Sequence, residues 1–181
     1  MMTLVVGGSA SGKSAFAEGL ACGAAGEGLP LYYLATMQGG SPAAKARIER
    51  HLEQRAGKGF QTVEAPTLAA LGQASLDPQG AALLDDLGNL VANEMFAGDV
   101  QRTADPEGLA GRIATDLEKL SRRVAHLTVV ADEAGMGGWH GDDGTRAWIE
   151  CCGACCCKLA SQAARVYQVT CGIATELKGR A

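Results

Sequence analysis

Gly7, Gly12, Lys13 and Ser14 have the types and spacing to hold a chain of phosphates. They fill the fixed places of G-x-x-x-x-G-K-[ST] in the stretch Gly7-Gly8-Ser9-Ala10-Ser11-Gly12-Lys13-Ser14. Glycines let successive backbone N–H groups converge on phosphate oxygens, and Lys13 brings a cation to the β- and γ-phosphates. Ser14 offers its hydroxyl to Mg2+ at the first turn of a helix whose N-terminus attracts anions. The context suits such a loop. Thr3-Leu4-Val5-Val6 is an apolar run fit for a buried strand, and Ala15 to Ala25 is rich in helix formers. These residues predict a nucleoside triphosphate site.

His51 is the second residue with chemistry in it. Pro42 suits the start of a helix running to about Ala56, in which Ala44, Ile48 and Leu52 recur at i,i+4 and mark the buried face. Arg47, Arg50, His51, Gln54, Arg55 and Lys58 fall largely on another face, with Arg47 and Arg55 one turn to either side of the histidine. Such a stripe is either a solvated basic face or a phosphate-handling one. In the second reading the arginines hold a polyphosphate and keep His51 neutral by like-charge repulsion, and a neutral imidazole is a nucleophile. Carboxylates stand at two strand tips. Ala81-Ala82-Leu83-Leu84 ends in Asp85-Asp86, where Asp85 is expected to serve the metal or nucleotide and Asp86 to cap the next helix. Leu127 to Ala131 ends in Asp132-Glu133, followed by the flexible Gly135-Met136-Gly137-Gly138, a candidate lid.

Elements that place these residues alternate along the chain. Strands are expected at Leu31 to Ala35, Phe60 to Val63, Val166 to Cys171 and Ile173 to Leu177, besides those named. Helices are expected after Pro66 to about Ser75, from Leu87 to Ala97, from Glu107 to Ala125 and from Arg146 to Ala164, with a polar stretch from Gly98 to Pro106. Alternation of this kind predicts a mostly parallel α/β sheet covered on both faces. Ligands gather at the carboxyl ends of strands in such sheets, so Ala35 to Met37 is expected at the nucleotide site.

Composition narrows the classes. One domain is the natural reading of 181 residues, with 47% hydrophobic but only 4% aromatic residues, hence an aliphatic core. A net charge of −4 argues against a surface that binds nucleic acid over its whole extent. No apolar run approaches the ~18 residues that span a bilayer, and the N-terminus lacks a signal peptide's pattern, so a cytoplasmic protein is expected. Cys151, Cys152, Cys155, Cys156 and Cys157 crowd one predicted helix, apart from Cys22 and Cys171. Their i,i+4 spacing admits a soft metal or redox chemistry, but no second ligand pair accompanies them, and small residues on a packed helix is the simpler reading.

Taken together, these residues resemble the bifunctional adenosylcobinamide kinase/adenosylcobinamide-phosphate guanylyltransferases of cobalamin biosynthesis. The resemblance rests on Leu4-Val5-Val6-Gly7-Gly8 through Ser14, Leu34-Ala35-Thr36, and Arg47-Ile48-x-x-His51-x-x-x-Arg55. It continues in Thr62-x-Glu64, Leu83-Leu84-Asp85-Asp86 with Asn93 downstream, and Glu133-Ala134-Gly135-Met136-Gly137. It implies a RecA-like P-loop fold and a homotrimer. It also implies phosphorylation of adenosylcobinamide with ATP or GTP, then transfer of GMP from GTP to give adenosylcobinamide-GDP. By the same resemblance His51 carries GMP as a phosphoramidate, and Ala35, Thr36, Met37, Leu52, Glu53, Gln54, Arg55, Glu64 and Asp85 contact GTP. The chain departs from the family pattern at Ala10, Cys156-Cys157, Gly138-Trp139-His140 and Ala174. Two other readings remain open at this level: a P-loop kinase of a small metabolite without a histidine intermediate, and a nucleotide-binding relic of the enzyme.

Overall fold

The structure is a computed structural model that describes residues 1–39, 42–96, 105–135 and 141–179. Its centre is a seven-stranded sheet in the order β3-β2-β4-β5-β1-β6-β7. The strands are β1 (Met2–Gly7), β2 (Leu31–Ala35), β3 (Phe60–Glu64), β4 (Ala81–Asp85), β5 (His126–Asp132), β6 (Arg165–Thr170) and β7 (Ile173–Lys178). All neighbouring pairs are parallel except β6 with β7, which is the terminal hairpin. Parallel strands are buried on both faces, which is why β1, β4 and β5 read as mostly apolar runs, with Thr3 and Thr128 buried among them. The helices are α1 (Lys13–Ala24), α2 (Pro42–Arg55), α3 (Leu68–Gln73), α4 (Leu87–Phe96), α5 (Pro106–Ser121) and α6 (Asp143–Gln162).

Two cores follow from the period-two alternation of the strands. On one face Val5, Leu31, Tyr33, Leu83 and Val130 pack with Ala17 and Ala21 of α1. On the other, Leu4, Leu34, Leu84 and Val129 meet α4, α5 and α6 through Leu90, Ile113, Leu117 and Leu159. Cys151, Cys152 and Cys155 belong to this second core, as small residues on a packed helix would. Among the described residues no set of three or more His, Cys, Asp or Glu side chains forms a metal cage. No helix there is long and apolar enough to cross a membrane.

Three sequence expectations need correction. First, α5 ends at Ser121 rather than near Ala125. The chain must turn there to bury Val124 and enter β5, and Arg123 leaves the helix to donate to the carbonyls of Leu71, Gly72 and Ala74 at the end of α3. Second, of the stripe expected to be buried on α2, Ile48 is half-buried and Leu52 is 47% exposed, whereas Arg55 is only 6% exposed; the side chain of Ala44 lies outside the described atoms. That side of α2, with Ile48, His51, Leu52 and Arg55, lines an open pocket instead of packing into an aliphatic core. Third, α6 begins at Asp143, earlier than Arg146, because the Asp142 carboxylate caps it by accepting from Thr145 N. The polar stretch and the candidate lid lie outside the described residues from 97 to 104 and from 136 to 140.

Arg123 supplies a charged donor to three carbonyls that α3 leaves unpaired. Arg123→Ala is expected to cost about 1–2 kcal/mol in urea unfolding. Nucleotide affinity should stay unchanged, because α3 lies away from the phosphate-binding loop.

Candidate functional site

The phosphate-binding loop joins β1 to α1, and its backbone is shaped by contacts that only glycine admits. Gly12 takes a φ of 92°, and a Cβ there would stand 3.2 Å from the Cα of Gly172 in the β6–β7 turn. A Cβ on Gly7 would meet the Val169 carbonyl at 2.6 Å. The hairpin turn is thus packed directly on the loop, and Gly172 N donates to Ser11 O at 2.8 Å. Lys13 is buried at the start of α1, where Nζ donates to Gly8 O at 3.3 Å and pairs with Asp132 at 2.5 Å. Ser14 follows in the first turn, half-buried, beside Ser9, Ala10 and Ser11 of the loop.

Asp85 lies two strands from this loop, because β5 separates β4 from β1. It ends β4 and is 8% exposed. Its Oδ2 accepts from the Tyr33 hydroxyl at 2.9 Å and faces His51 Nδ1 at 3.6 Å, an ion-pair distance rather than a hydrogen bond. Burial by itself would raise the Asp85 carboxyl. The His51 imidazole, the Tyr33 hydroxyl and the more distant charge of Lys13 outweigh it and hold the group below the ordinary carboxylate range. Burial and the neighbouring carboxylate push the Tyr33 phenol far up, so it stays a donor. Asp86 does what its sequence position predicts: its Oδ1 caps α4 by accepting from Asn89 N at 2.7 Å.

Around Asp85 opens a shallow pocket. Of the residues expected at the site, Ala35, Met37, His51, Leu52, Arg55, Glu64 and Asp85 line it together. Thr36 does not. Its hydroxyl turns inward to donate to Asp86 O at 2.8 Å, while Asn93 donates to Thr36 O and Pro66 O, strapping the loops after β2 and β3. Glu53 is exposed away from the pocket, and the side chains of Arg47, Arg50 and Gln54 lie outside the described atoms. Arg55 lies over the Tyr33 ring, 3.2 Å from its centroid, with Nε and one terminal nitrogen buried and unpartnered. Among the described residues, the Asp85 carboxylate faces His51.

The histidine-bearing helix is tied to the loop helix as well. Glu18 of α1, 7% exposed, pairs with Lys58 at 2.5 Å just beyond the end of α2. Reading the sequence alone missed Tyr33, Thr62 and Asn89 as pocket residues. A signal for Tyr33 existed: it stands two residues before Ala35 and so shares its face of β2. It likewise missed the Lys13–Asp132 pair, although Asp132 had been placed at a strand tip; the register of Gly7 opposite Asp132 is what brings them together.

Such a constellation can bind a nucleotide at two centres. The loop, with Lys13 and Ser14, is a cradle for a polyphosphate. The pocket beside it presents an imidazole with a carboxylate on its Nδ1 side, an arrangement that suits Nε2 as the reacting nitrogen.

Comparison with known proteins agrees with this geometry. Residues 3–177 match the profile of the family described as cobinamide kinase / cobinamide phosphate guanyltransferase. The bifunctional adenosylcobalamin biosynthesis protein CobP of Pseudomonas aeruginosa is 31% identical over 179 residues, covering 99% of this chain and 98% of the relative. The corresponding CobU of Escherichia coli is 31% identical over 186 residues, covering 98% of this chain and 100% of the relative. Among solved structures, the flagellar accessory protein FlaH from Methanocaldococcus jannaschii superposes with a TM-score of 0.53 at 12% identity, over 99% of this chain and 78% of that one. The ATPase domain of G40P gives a TM-score of 0.51 at 13% identity, over 92% of this chain and 68% of that one. These last two bear on the fold alone, which is that of RecA-like P-loop proteins.

The low-lying Asp85 carboxyl sets a pH dependence. As pH falls the unfolded chain takes up the Asp85 proton first, so the ionised group contributes stability that is complete above about pH 4 and is lost as pH drops through its folded value. The margin of the wild-type chain over Asp85→Asn in urea unfolding should therefore shrink as pH falls below about pH 4. A margin as large at pH ~3 as at pH ~7 would contradict the assignment.

Proposed function

The chain belongs to the cobinamide kinase / cobinamide phosphate guanyltransferase family, and we infer that its two transfers share one end of the sheet, with His51 as the covalent carrier of GMP. It is a transferase of cobalamin biosynthesis, bifunctional as its relatives are. In the first transfer ATP or GTP phosphorylates the hydroxyl of adenosylcobinamide. In the second, GMP passes from GTP to the phosphate so formed, giving adenosylcobinamide-GDP and pyrophosphate. The observation that carries the reading is the contact between His51 Nδ1 and the buried Asp85 carboxylate.

Each residue's part follows from its surroundings. Gly7 to Gly12 present backbone N–H groups to the phosphates, and Lys13 exchanges its Asp132 partner for phosphate oxygen. Neutral His51 attacks the α-phosphorus of GTP through Nε2, forming a P–N bond as the bond to pyrophosphate breaks. The proton stays on Nδ1, where Asp85 offsets the imidazolium charge. An oxygen of the cobinamide phosphate then displaces the imidazole and returns it neutral. The buried, unpartnered nitrogens of Arg55 suit a phosphate oxygen in the same pocket, and Ala35, Met37, Leu52 and Glu64 line the space for the rest of the nucleotide.

Magnesium fits the residues present. No cage of protein ligands stands at the loop among the described residues, which is the usual condition for an ion held mainly by phosphates. Ser14 would hold it, with Asp85 and Asp132 the carboxylates at the adjoining strand tips, and it would neutralise charge developing on the phosphates. A homotrimer in the cytoplasm is part of the same proposal, and sedimentation tests the assembly.

The reading separates from that of a plain kinase by its variants. His51→Ala is expected to abolish pyrophosphate release from GTP with adenosylcobinamide phosphate, while leaving phosphorylation of adenosylcobinamide within a few-fold of wild type. Lys13→Ala should depress both transfers, by about 100-fold or more. Guanylyl transfer that survives His51→Ala would leave the chain a kinase without a histidine intermediate. GTP binding without either turnover would leave it a nucleotide-binding relic.

A further inference from the structure

Tyr33 is a buried pocket residue that the roles above leave unused, and its hydroxyl reaches the functional carboxylate. Its position follows from register. Tyr33 stands opposite Leu83 on β4, and Asp85, opposite Ala35, is the next residue of β4 on the same face. Diagonal neighbours of this kind lie about 7–8 Å apart, within reach of an aromatic side chain. The phenol spans that gap and donates to Asp85 Oδ2 at 2.9 Å, the same oxygen that faces His51 Nδ1 at 3.6 Å.

The ring itself cannot wander. Arg55 covers one side at 3.2 Å from the centroid, and Phe60 meets it edge-on with centroids 6.1 Å apart at 86°. A phenylalanine would fill this slot equally well if packing were the only need. The hydroxyl adds direction. The terminal torsion of an aspartate is broad and nearly two-fold, so an unanchored carboxylate can offer either oxygen, or neither, to a neighbouring imidazole.

We propose that Tyr33 is a positioning residue for His51: its hydroxyl fixes the Asp85 carboxylate so that Oδ2 holds the proton on Nδ1, leaving Nε2 free to attack the α-phosphorus of GTP. The proposal rests on the reading of His51 as GMP carrier and adds the device that selects its tautomer. Atoms balance as before: the Nε2 lone pair forms the P–N bond, the bonding pair of the leaving oxygen departs with pyrophosphate, and the proton remains on Nδ1 against Asp85. A chain of contacts from Arg55 through Tyr33 and Asp85 to His51 thus links both functional side chains of α2 through two strands.

The test is Tyr33→Phe, which keeps the ring and any packing against nucleotide and removes the hydroxyl alone. Single-turnover formation of the guanylyl enzyme from α-labelled GTP is expected to slow about tenfold at saturation, with half-saturating GTP within about twofold of wild type. Nitrogen-15 spectra of histidine-labelled protein give an independent readout, since the chain has 3 histidines and His51→Ala identifies the signal. Wild type should show the Nδ1–H tautomer at His51 and Tyr33→Phe a mixture. Asp85→Asn, whose amide can donate to Nδ1, should drive His51 to the Nε2–H form, and if Tyr33→Phe does not fold, Tyr33→Leu, which also removes the hydroxyl, should show the same tautomer mixture. An unchanged rate and tautomer in Tyr33→Phe would overturn the proposal. So would a loss confined to half-saturating GTP, which would make Tyr33 a nucleotide contact only. If wild type forms no guanylyl enzyme, the carrier reading falls, and the tautomer spectra alone then decide whether Tyr33 orients His51.

Discussion

A carboxylate buried at the middle of a sheet must be compensated, and Asp85 is the group around which this molecule meets that demand. It is 8% exposed, with β2 and β5 on either side of its strand. Taking an ion out of water costs several kcal/mol unless donors and opposite charge replace the solvent. Here a phenol from β2, an imidazole from α2 and, farther off, the loop lysine replace it. Each compensating group comes from a different element, so the ends of β2, β4, α1 and α2 are drawn to one place. The nucleotide end of the sheet follows from that convergence.

The same arrangement separates two carboxylates that sequence motifs make look alike. Asp85 and Asp132 both end strands, and both are followed by another acid. Register assigns Asp132 to Gly7 and hence to Lys13, while strand order puts Asp85 one strand farther out, within reach of the histidine helix. One acid thus serves the phosphate cradle and the other the imidazole. Lys58 and Glu18 hold the end of α2 to α1, so the two centres do not drift apart.

Most of the fold was legible because its signals were local. Leu31 to Ala35 and Pro42 onward were bounded by Gly-Pro turns and read within a residue or two of their observed limits. The phosphate loop was legible because its glycines answer to fixed contacts, with the Val169 carbonyl and with Gly172. What escaped was long-range. That Thr36 turns inward, that Arg55 stacks on Tyr33, and that Leu52 stays exposed all depend on which strand lies beside which. Hydrophobic periodicity marked α2 for an aliphatic core, but its partner is a pocket. A helix that lines an open pocket can leave a leucine exposed, and spacing in one sequence does not tell such a pocket from a core.

The central claim is that one imidazole, held by Asp85, takes GMP from GTP. Mass mapping of peptides after brief exposure to GTP and Mg2+ tests it most directly, with quenching in base because phosphoramidates are acid-labile. The account predicts a GMP adduct confined to the peptide that carries His51, present in wild type and absent from His51→Ala. Turnover of GTP with the cobinamide phosphate in the absence of any adduct, or with an adduct on another residue, would contradict it.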